Sequence, residues 1–155
     1  KPLNIDPDAI REVRRGMYSV VNDKRGTAYS SRVEQVDKEF AGKTGTSQVT
    51  EISKSERKRG VSKNEDKPWK YRDHALFVGY APFTNPKYSV SVVVEHGGSG
   101  STSAAPIARD IMLAAQYGSL PPLSAYPEAQ RSRIASMLTK MQLVDPEKIL
   151  RSEYE

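Results

Sequence analysis

Cysteine is absent from these 155 residues, which excludes a disulfide framework, a thiolate zinc site and a cysteine nucleophile. Histidine is scarce: only two are present, too few for a histidine-built metal centre. No apolar run approaches the roughly 20 residues that a membrane-spanning helix needs. The chain begins at Lys1, no signal-peptide pattern follows it, and the expectation is a piece of something longer. Aromatic residues make up only 8%, which bears on how the positive charge of the chain is read.

What is present suits one domain with one real core. Ten Gly and ten Pro fit a loop-bearing globular chain and fall short of low complexity. The formal net charge of +5 raises the question of a nucleic-acid or anionic-surface partner. Much of the excess lies in 51–73, where Lys54, Arg57, Lys58, Arg59, Lys63, Lys67, Lys70 and Arg72 face Glu51, Glu56, Glu65, Asp66 and Asp73. With almost nothing apolar among them, these residues read as a solvated loop. Readers of single-stranded nucleic acid interleave aromatics with positive charge, and here only Trp69 and Tyr71 occur, at the loop's end. Nucleic acid is not an expected partner.

The N-terminal stretch carries agreeing helix signals. Asp6 can cap, Pro7 occupies the first helical position, and Ile5 can staple onto Ile10. Ile10, Val13, Met17 and Val20 then form one apolar face. Asn22 ends the helix, Asp23 to Gly26 turn the chain, and 27–39 reads as mostly irregular with one short turn of helix. From Phe40 to Thr50 two glycines, the threonines and Val49 favour a strand, with Gly42 and Gly45 marking close backbone approach. His74 to Tyr80 reads as a buried strand and Ala81 to Lys87 as a turn. Tyr88, Val90, Val92 and Val94 alternate with Ser89, Ser91, Val93 and Glu95, giving the second strand of an antiparallel hairpin.

Gly97, Gly98 and Gly100 break that strand, and Ser101 to Ser103 offer N-caps. Ala104, Ile107, Ala108, Ile111, Met112 and Ala115 form a small-residue helical face for packing on a sheet, and Gly118 stops the helix. Pro121-Pro122 enforce an extended exit. Pro127 opens a helix with Ile134, Met137, Leu138 and Met141 on one side, and Asp145-Pro146 starts a short last one.

The most specific string is Ala41-Gly42-Lys43-Thr44-Gly45-Thr46-Ser47. A P-loop needs G-x-x-x-x-G-K-[ST] between strand and helix. Its first glycine would fall at Asp37, whose charge repels phosphate, and the residues after Lys43 are strand-like. The nucleotide-binding reading fails on both counts. The other mechanism puts Lys-Thr-Gly on a strand beside an active site. Lys43 then offers a positive field to a carboxylate or a serine hydroxyl, and the threonine hydroxyls can bond the same carboxylate. Gly45 leaves room for a peptide-like substrate to add as a β-strand, and the Thr46 N–H can meet a developing oxyanion.

Lys43-Thr44-Gly45-Thr46 resembles the K-T-G box of the penicillin-binding transpeptidases and serine β-lactamases. His74-Ala75-Leu76-Phe77-Val78-Gly79-Tyr80-Ala81-Pro82 is similar to the strand after that box in class B penicillin-binding proteins. Val92-Val93-Val94-Glu95-His96-Gly97-Gly98-Ser99-Gly100, with Ala104-Ala105-Pro106-Ile107-Ala108, resembles their last strand and C-terminal helix. The likeness covers roughly 5–117, and the tail from Ser119 resembles nothing known to us.

The resemblance implies an α+β fold of the penicillin-binding protein and β-lactamase type, whose full sheet has five antiparallel strands between helices. This chain would hold its C-terminal part, three antiparallel strands flanked by helices. Residues 1–118 would belong to the transpeptidase domain and 119–155 to a helical extension. The implied activity is D,D-transpeptidation: a serine is acylated by the D-Ala-D-Ala end of a peptidoglycan stem peptide, and an amine of a neighbouring strand then releases it. β-Lactams acylate the same serine. Carried over by position, Lys43 supports the active-site hydrogen-bond network as a catalytic residue. Thr44, Gly45 and Thr46 bind substrate, and no cofactor or metal is implied. The implied partners are stem peptides, β-lactams, the upstream half of the same domain and proteins of cell-wall elongation. The intact protein would sit on the periplasmic face of a bacterial inner membrane, anchored outside this chain.

The family also has S-x-x-K and S-x-N motifs before the K-T-G box, and residues 1–42 contain neither. Ser55-Glu56-Arg57-Lys58 and Ser62-Lys63-Asn64 fit the patterns in the wrong order, inside a charged loop, where no lysine is desolvated enough to take a proton. The nucleophile is therefore expected upstream of Lys1, and the chain alone is expected to be inactive. The alternative is a penicillin-binding-like scaffold without catalysis. Elsewhere plain structural roles are favoured: His74 and His96 as strand-end residues, Trp69 and Tyr71 as loop braces, and Gly97 to Gly100 as a tight strand-to-helix turn.

Overall fold

The structure, a computed structural model, describes residues 4–51, 54–60 and 63–141. The helix expected from Asp145-Pro146 and the Ser62 position lie outside them.

Helix α1 spans Pro7–Asn22. The Asp6 carboxylate accepts the Asp8 N–H at 3.0 Å, satisfying one of the donors that every helix start leaves open. At the other end the Asn22 amide donates to the carbonyls of Tyr18 and Phe40, tying the helix to the chain that enters the sheet. The remaining elements are β1 (Ala41–Ser47), α2 (Lys54–Arg59), β2 (His74–Ala81), β3 (Tyr88–Val94), α3 (Ala105–Tyr117) and α4 (Glu128–Lys140). The three strands form one antiparallel sheet in the order β1-β2-β3, and the fold is α+β.

Register places Thr44 opposite Phe77 and Phe77 opposite Val92. That face of the sheet packs under α3, whose Ala105, Ala108, Met112 and Leu113 are buried with Phe40, Ala75, Phe77, Ala81 and Val92. Burying a side chain the size of Phe77 contributes about 1.5–3 kcal/mol, and this layer is the main source of cohesion. Across the strands, Lys43 lies opposite Val78 and Gly45 opposite Leu76. Val78 and Val93 on this second face are 48% and 59% exposed. Among the described residues one face of the sheet is covered, while the other is open over Val78 and Val93 and covered at its Ala41–Tyr80 end, where Arg14 of α1 lies on the Tyr80 ring.

Four expectations need correction. The apolar face assigned to α1 is displaced: Ile10 and Val13 are exposed, as is Ile5, while Val21 is buried and Tyr18 and Val20 are half-buried. Among the described residues the buried contacts of the helix fall in its C-terminal half, which leaves the apolar residues of its first turns at the surface. In α3 the buried set is Ala105, Ala108, Arg109, Met112 and Leu113, whereas Ile107, Ile111 and Ala115 face outward. The helix rolls toward Arg109 because that side chain bonds Gln130 of α4 at 2.8 Å and lies over the Tyr126 ring. Its Ser101 to Ser103 approach supplies no side-chain cap; the chain enters through a wide π-type turn at Gly100–Ala104. Finally, the charged stretch 51–73 contains α2 and two short 3-10 turns, at Asn64–Asp66 and Trp69–Tyr71. Asp73 organises its end: buried, it pairs with Lys67 at 3.6 Å, and its N–H donates to Asn64.

The stretch after Gly118 joins the same core. Tyr126 and Ile134 are buried with Phe77 and Met112, the Glu34 N–H donates to the Ala125 carbonyl, and Gln130 donates to the Ser30 carbonyl.

Candidate active site

The K-T-G residues lie on β1, at the sheet edge. Gly42 is buried because Phe77 fills the place where its side chain would be. A Cβ there would come within 2.6 Å of Phe77 Cε1 and of the Val78 carbonyl oxygen. Gly79 gives way to the same ring from the neighbouring strand. At Gly45 a Cβ would meet Leu76 Cβ at 3.3 Å, a tighter approach than most real contacts. Gly100 presses on the Gly45 backbone, where a Cβ of its own would lie 2.9 Å from the Gly45 nitrogen. The glycine of the box is thus backed by the turn that leads into α3.

Lys43 points to the open face. It is exposed, and its ammonium donates to the Thr44 carbonyl at 2.8 Å. The side chains of Thr44 and Thr46 alternate to the other face, as a strand requires. Thr46 is exposed, while Thr44 is half-buried and has its Oγ1 3.0 Å from Thr27 Oγ1. Thr27 stands seventeen residues before it, within the stretch read as irregular, and no motif signalled it. Only the fold brings the two hydroxyls together. Lys43 and Thr27 also share a cavity of about 410 Å³ with Gly16, Ser19, Val20, Asp23, Arg25 and Gly26. The Arg25 N–H, donating to the Asp23 carboxylate, holds that carboxyl below the usual aspartate range.

β1 continues through Ser47, so the helix that a phosphate-cradling loop requires does not follow Lys43. Among the described residues no group of three His, Asp or Glu is placed to hold a metal ion. The Ser55 string falls on α2, whose Arg57, Lys58 and Arg59 are exposed.

The histidines brace the far end of the hairpin. His96 has φ +54; its N–H donates to Nδ1 of His74 at 2.9 Å, and its own Nδ1 lies 2.9 Å from the Arg72 carbonyl. A carbonyl only accepts, so His96 carries its proton on Nδ1, while His74 accepts at Nδ1 and carries its proton on Nε2. The Trp69 ring rests against His96 at 4.3 Å. Of these residues His96 lines a separate polar cavity of about 490 Å³ with Lys63, Asn64, Arg72 and Ser99, and no K-T-G residue lines it.

The family model for the penicillin binding protein transpeptidase domain matches residues 1–113. The chain is 39% identical over 99 residues to the peptidoglycan D,D-transpeptidase MrdA of Haemophilus influenzae, covering 64% of this chain and 14% of that protein. It is 33% identical over 105 residues to the enzyme of the same name from Acinetobacter baumannii, covering 66% and 14%. Among solved structures it resembles Pseudomonas aeruginosa PBP2 in complex with WCK 5153, at TM-score 0.52 and 37% identity over 82% of this chain and 24% of that one. It also resembles PBP2 from Helicobacter pylori in its complex with MreC, at TM-score 0.57 and 30% identity over 76% and 20%. The chain therefore spans about a seventh of the length of the curated relatives it matches. With its K-T-G strand on the sheet edge and this match over more than two thirds of its length, the chain belongs to the penicillin-binding protein transpeptidase family.

Proposed function

We propose that this chain is the C-terminal part of a peptidoglycan D,D-transpeptidase and supplies the substrate-binding wall of its active site. The observation that carries the reading is the K-T-G strand itself: an edge strand whose Lys43 opens onto an uncovered face. In this reading the Lys43 ammonium stabilises the hydrogen-bond network around a serine supplied from upstream sequence. Thr44 and Thr46 hold the terminal carboxylate of a stem peptide, Gly45 keeps the strand edge clear, and the Thr46 N–H is half of the oxyanion hole. Residues 1–118 then belong to the catalytic domain and 119–155 are an extension built onto it.

The open face supports the same reading. Val78 and Val93 expose apolar surface beside Lys43, which is where the nucleophile-bearing half of the domain would pack. A protein of this kind works at the periplasmic face of the inner membrane; among the described residues no helix is long and apolar enough to cross a membrane, so the anchor would come from other sequence. The relative from Helicobacter pylori was solved with MreC, and proteins of wall elongation are the partners we infer for the intact protein.

Labelling with a fluorescent penicillin tests the activity. The intact protein is expected to carry a covalent label and the 155-residue chain none, because neither S-x-x-K nor S-x-N precedes the K-T-G box in it. An adduct on the 155-residue chain would refute the placement of the serine. An unlabelled intact protein would favour the non-catalytic scaffold.

A further inference from the structure

Thr27 is held in place by neighbours that do not need its hydroxyl. After α1 the Gly26 N–H donates to the Asp23 carbonyl at 2.8 Å. Gly26 lies so close to the Ser19 and Val20 carbonyls that any side chain there would overlap both. Ala28 is fully buried, and its N–H donates to the Val20 carbonyl at 2.9 Å. The backbone on both sides is therefore fixed, while the Thr27 side chain is exposed. An exposed hydroxyl pair adds little to stability. What the 3.0 Å contact with Thr44 Oγ1 can change is the direction in which the Thr44 proton points.

Each hydroxyl has one proton and two acceptor lone pairs. If Thr44 donated to Thr27, it would present only lone pairs to an incoming carboxylate, which repels them. If Thr27 donates to Thr44, the single Thr44 proton is left for the carboxylate. Two hydroxyls aligned head to tail also polarise one another, so the second becomes a better donor. We propose that Thr27 is a positioning residue for substrate recognition: its O–H donates to Thr44 Oγ1 and thereby sets the Thr44 hydroxyl as a donor to the carboxylate of the acyl-donor substrate. The proposal rests on the substrate-binding reading of Thr44 given above.

The test uses the intact protein and two probes, benzylpenicillin and its methyl ester, which lacks the carboxylate charge. Thr27→Val is expected to slow acylation by benzylpenicillin about tenfold, because the Thr44 donor to the charged carboxylate is no longer oriented, and to slow acylation by the ester, whose neutral carbonyl is a weaker acceptor, much less. Thr27→Ser, which keeps the hydroxyl, is expected to restore the rate. Thr44→Val should slow benzylpenicillin by itself, and adding Thr27→Val to it should change nothing more, because the relay is already broken. Equal slowing of acid and ester by Thr27→Val, or simple additivity of the two changes, would overturn the proposal. Normal sensitivity to Thr44→Val with none to Thr27→Val overturns this proposal alone. Insensitivity to Thr44→Val overturns the reading of Thr44 as well.

Discussion

The ring of Phe77 explains more of the site than any charged group does. It occupies the side-chain space of both Gly42 and Gly79, locking the start of the K-T-G strand to its neighbour. Gly42→Ala should therefore act as overpacking, costing about 1–3 kcal/mol in stability, with no polar interaction lost. Urea unfolding of Gly42→Ala, alone and combined with Phe77→Leu, checks this. The smaller side chain at 77 should recover part of the loss, and no recovery would mean that the strain lies against the Val78 carbonyl. Thr27 is the opposite case at this scale, a residue of little structural weight whose hydroxyl acts through Thr44.

At the scale of elements, α4 shows how a segment beyond the residues matched by the family model becomes structural. It offers Ile134, fully buried, while Met137 and Met141 stay exposed. Its Gln130 reaches both Arg109 of α3 and the Ser30 carbonyl. Ile134→Ala should cost about 2–5 kcal/mol, as deletions in a closed core do, measured by chemical unfolding of the intact protein. A change below about 0.5 kcal/mol, the range of surface positions, would mean that α4 is peripheral. The residue pattern places α3 and α4 in the chain but gets the covered face of α3 only in part: Ala108 and Met112 are buried, whereas Ile107 and Ile111, which outweigh Arg109 on any hydrophobicity scale, face outward. Arg109 is nonetheless 1% exposed, stabilised by its pair with Asp110 at 2.9 Å and by Gln130 and the Tyr126 ring. A buried cation with such partners cannot be recognised until the partners are in place.

For the molecule as a whole, two tyrosines couple the fold to alkaline pH. Burial pushes the Tyr126 hydroxyl up to about 12, the Asp110 carboxylate adding to it and Arg109 opposing. Tyr18 is raised as well, by burial and then by Glu39, whose carboxylate accepts its hydroxyl at 3.0 Å. Between about pH 10 and 12 the unfolded chain has lost the Tyr126 proton while the folded chain keeps it, so the unfolded state binds fewer protons and stability falls as pH rises. Below pH 10 the contribution of Tyr126 is fully present. The expected loss across that window is on the order of 3 kcal/mol from Tyr126. Tyr126→Phe should flatten it, as followed by unfolding midpoints at a series of pH values; an unchanged slope would place the effect elsewhere.

By itself, the order of residues determined what short-range chemistry can settle. Capping by Asp6 and Pro7, the alternation through Tyr88 to Val94, the stop at Gly118 and the K-T-G string all act over a few neighbours, and the main helices, the antiparallel hairpin and the family are legible from them, whereas α2 is not. The tertiary structure alone decided which faces are covered, that Gly42 and Gly79 share one ring, that Arg109 is buried, and that Thr27 meets Thr44. Each of these depends on groups brought together from distant parts of the chain. Their energies exist only once the sheet and helices have packed, so no local pattern of residues records them.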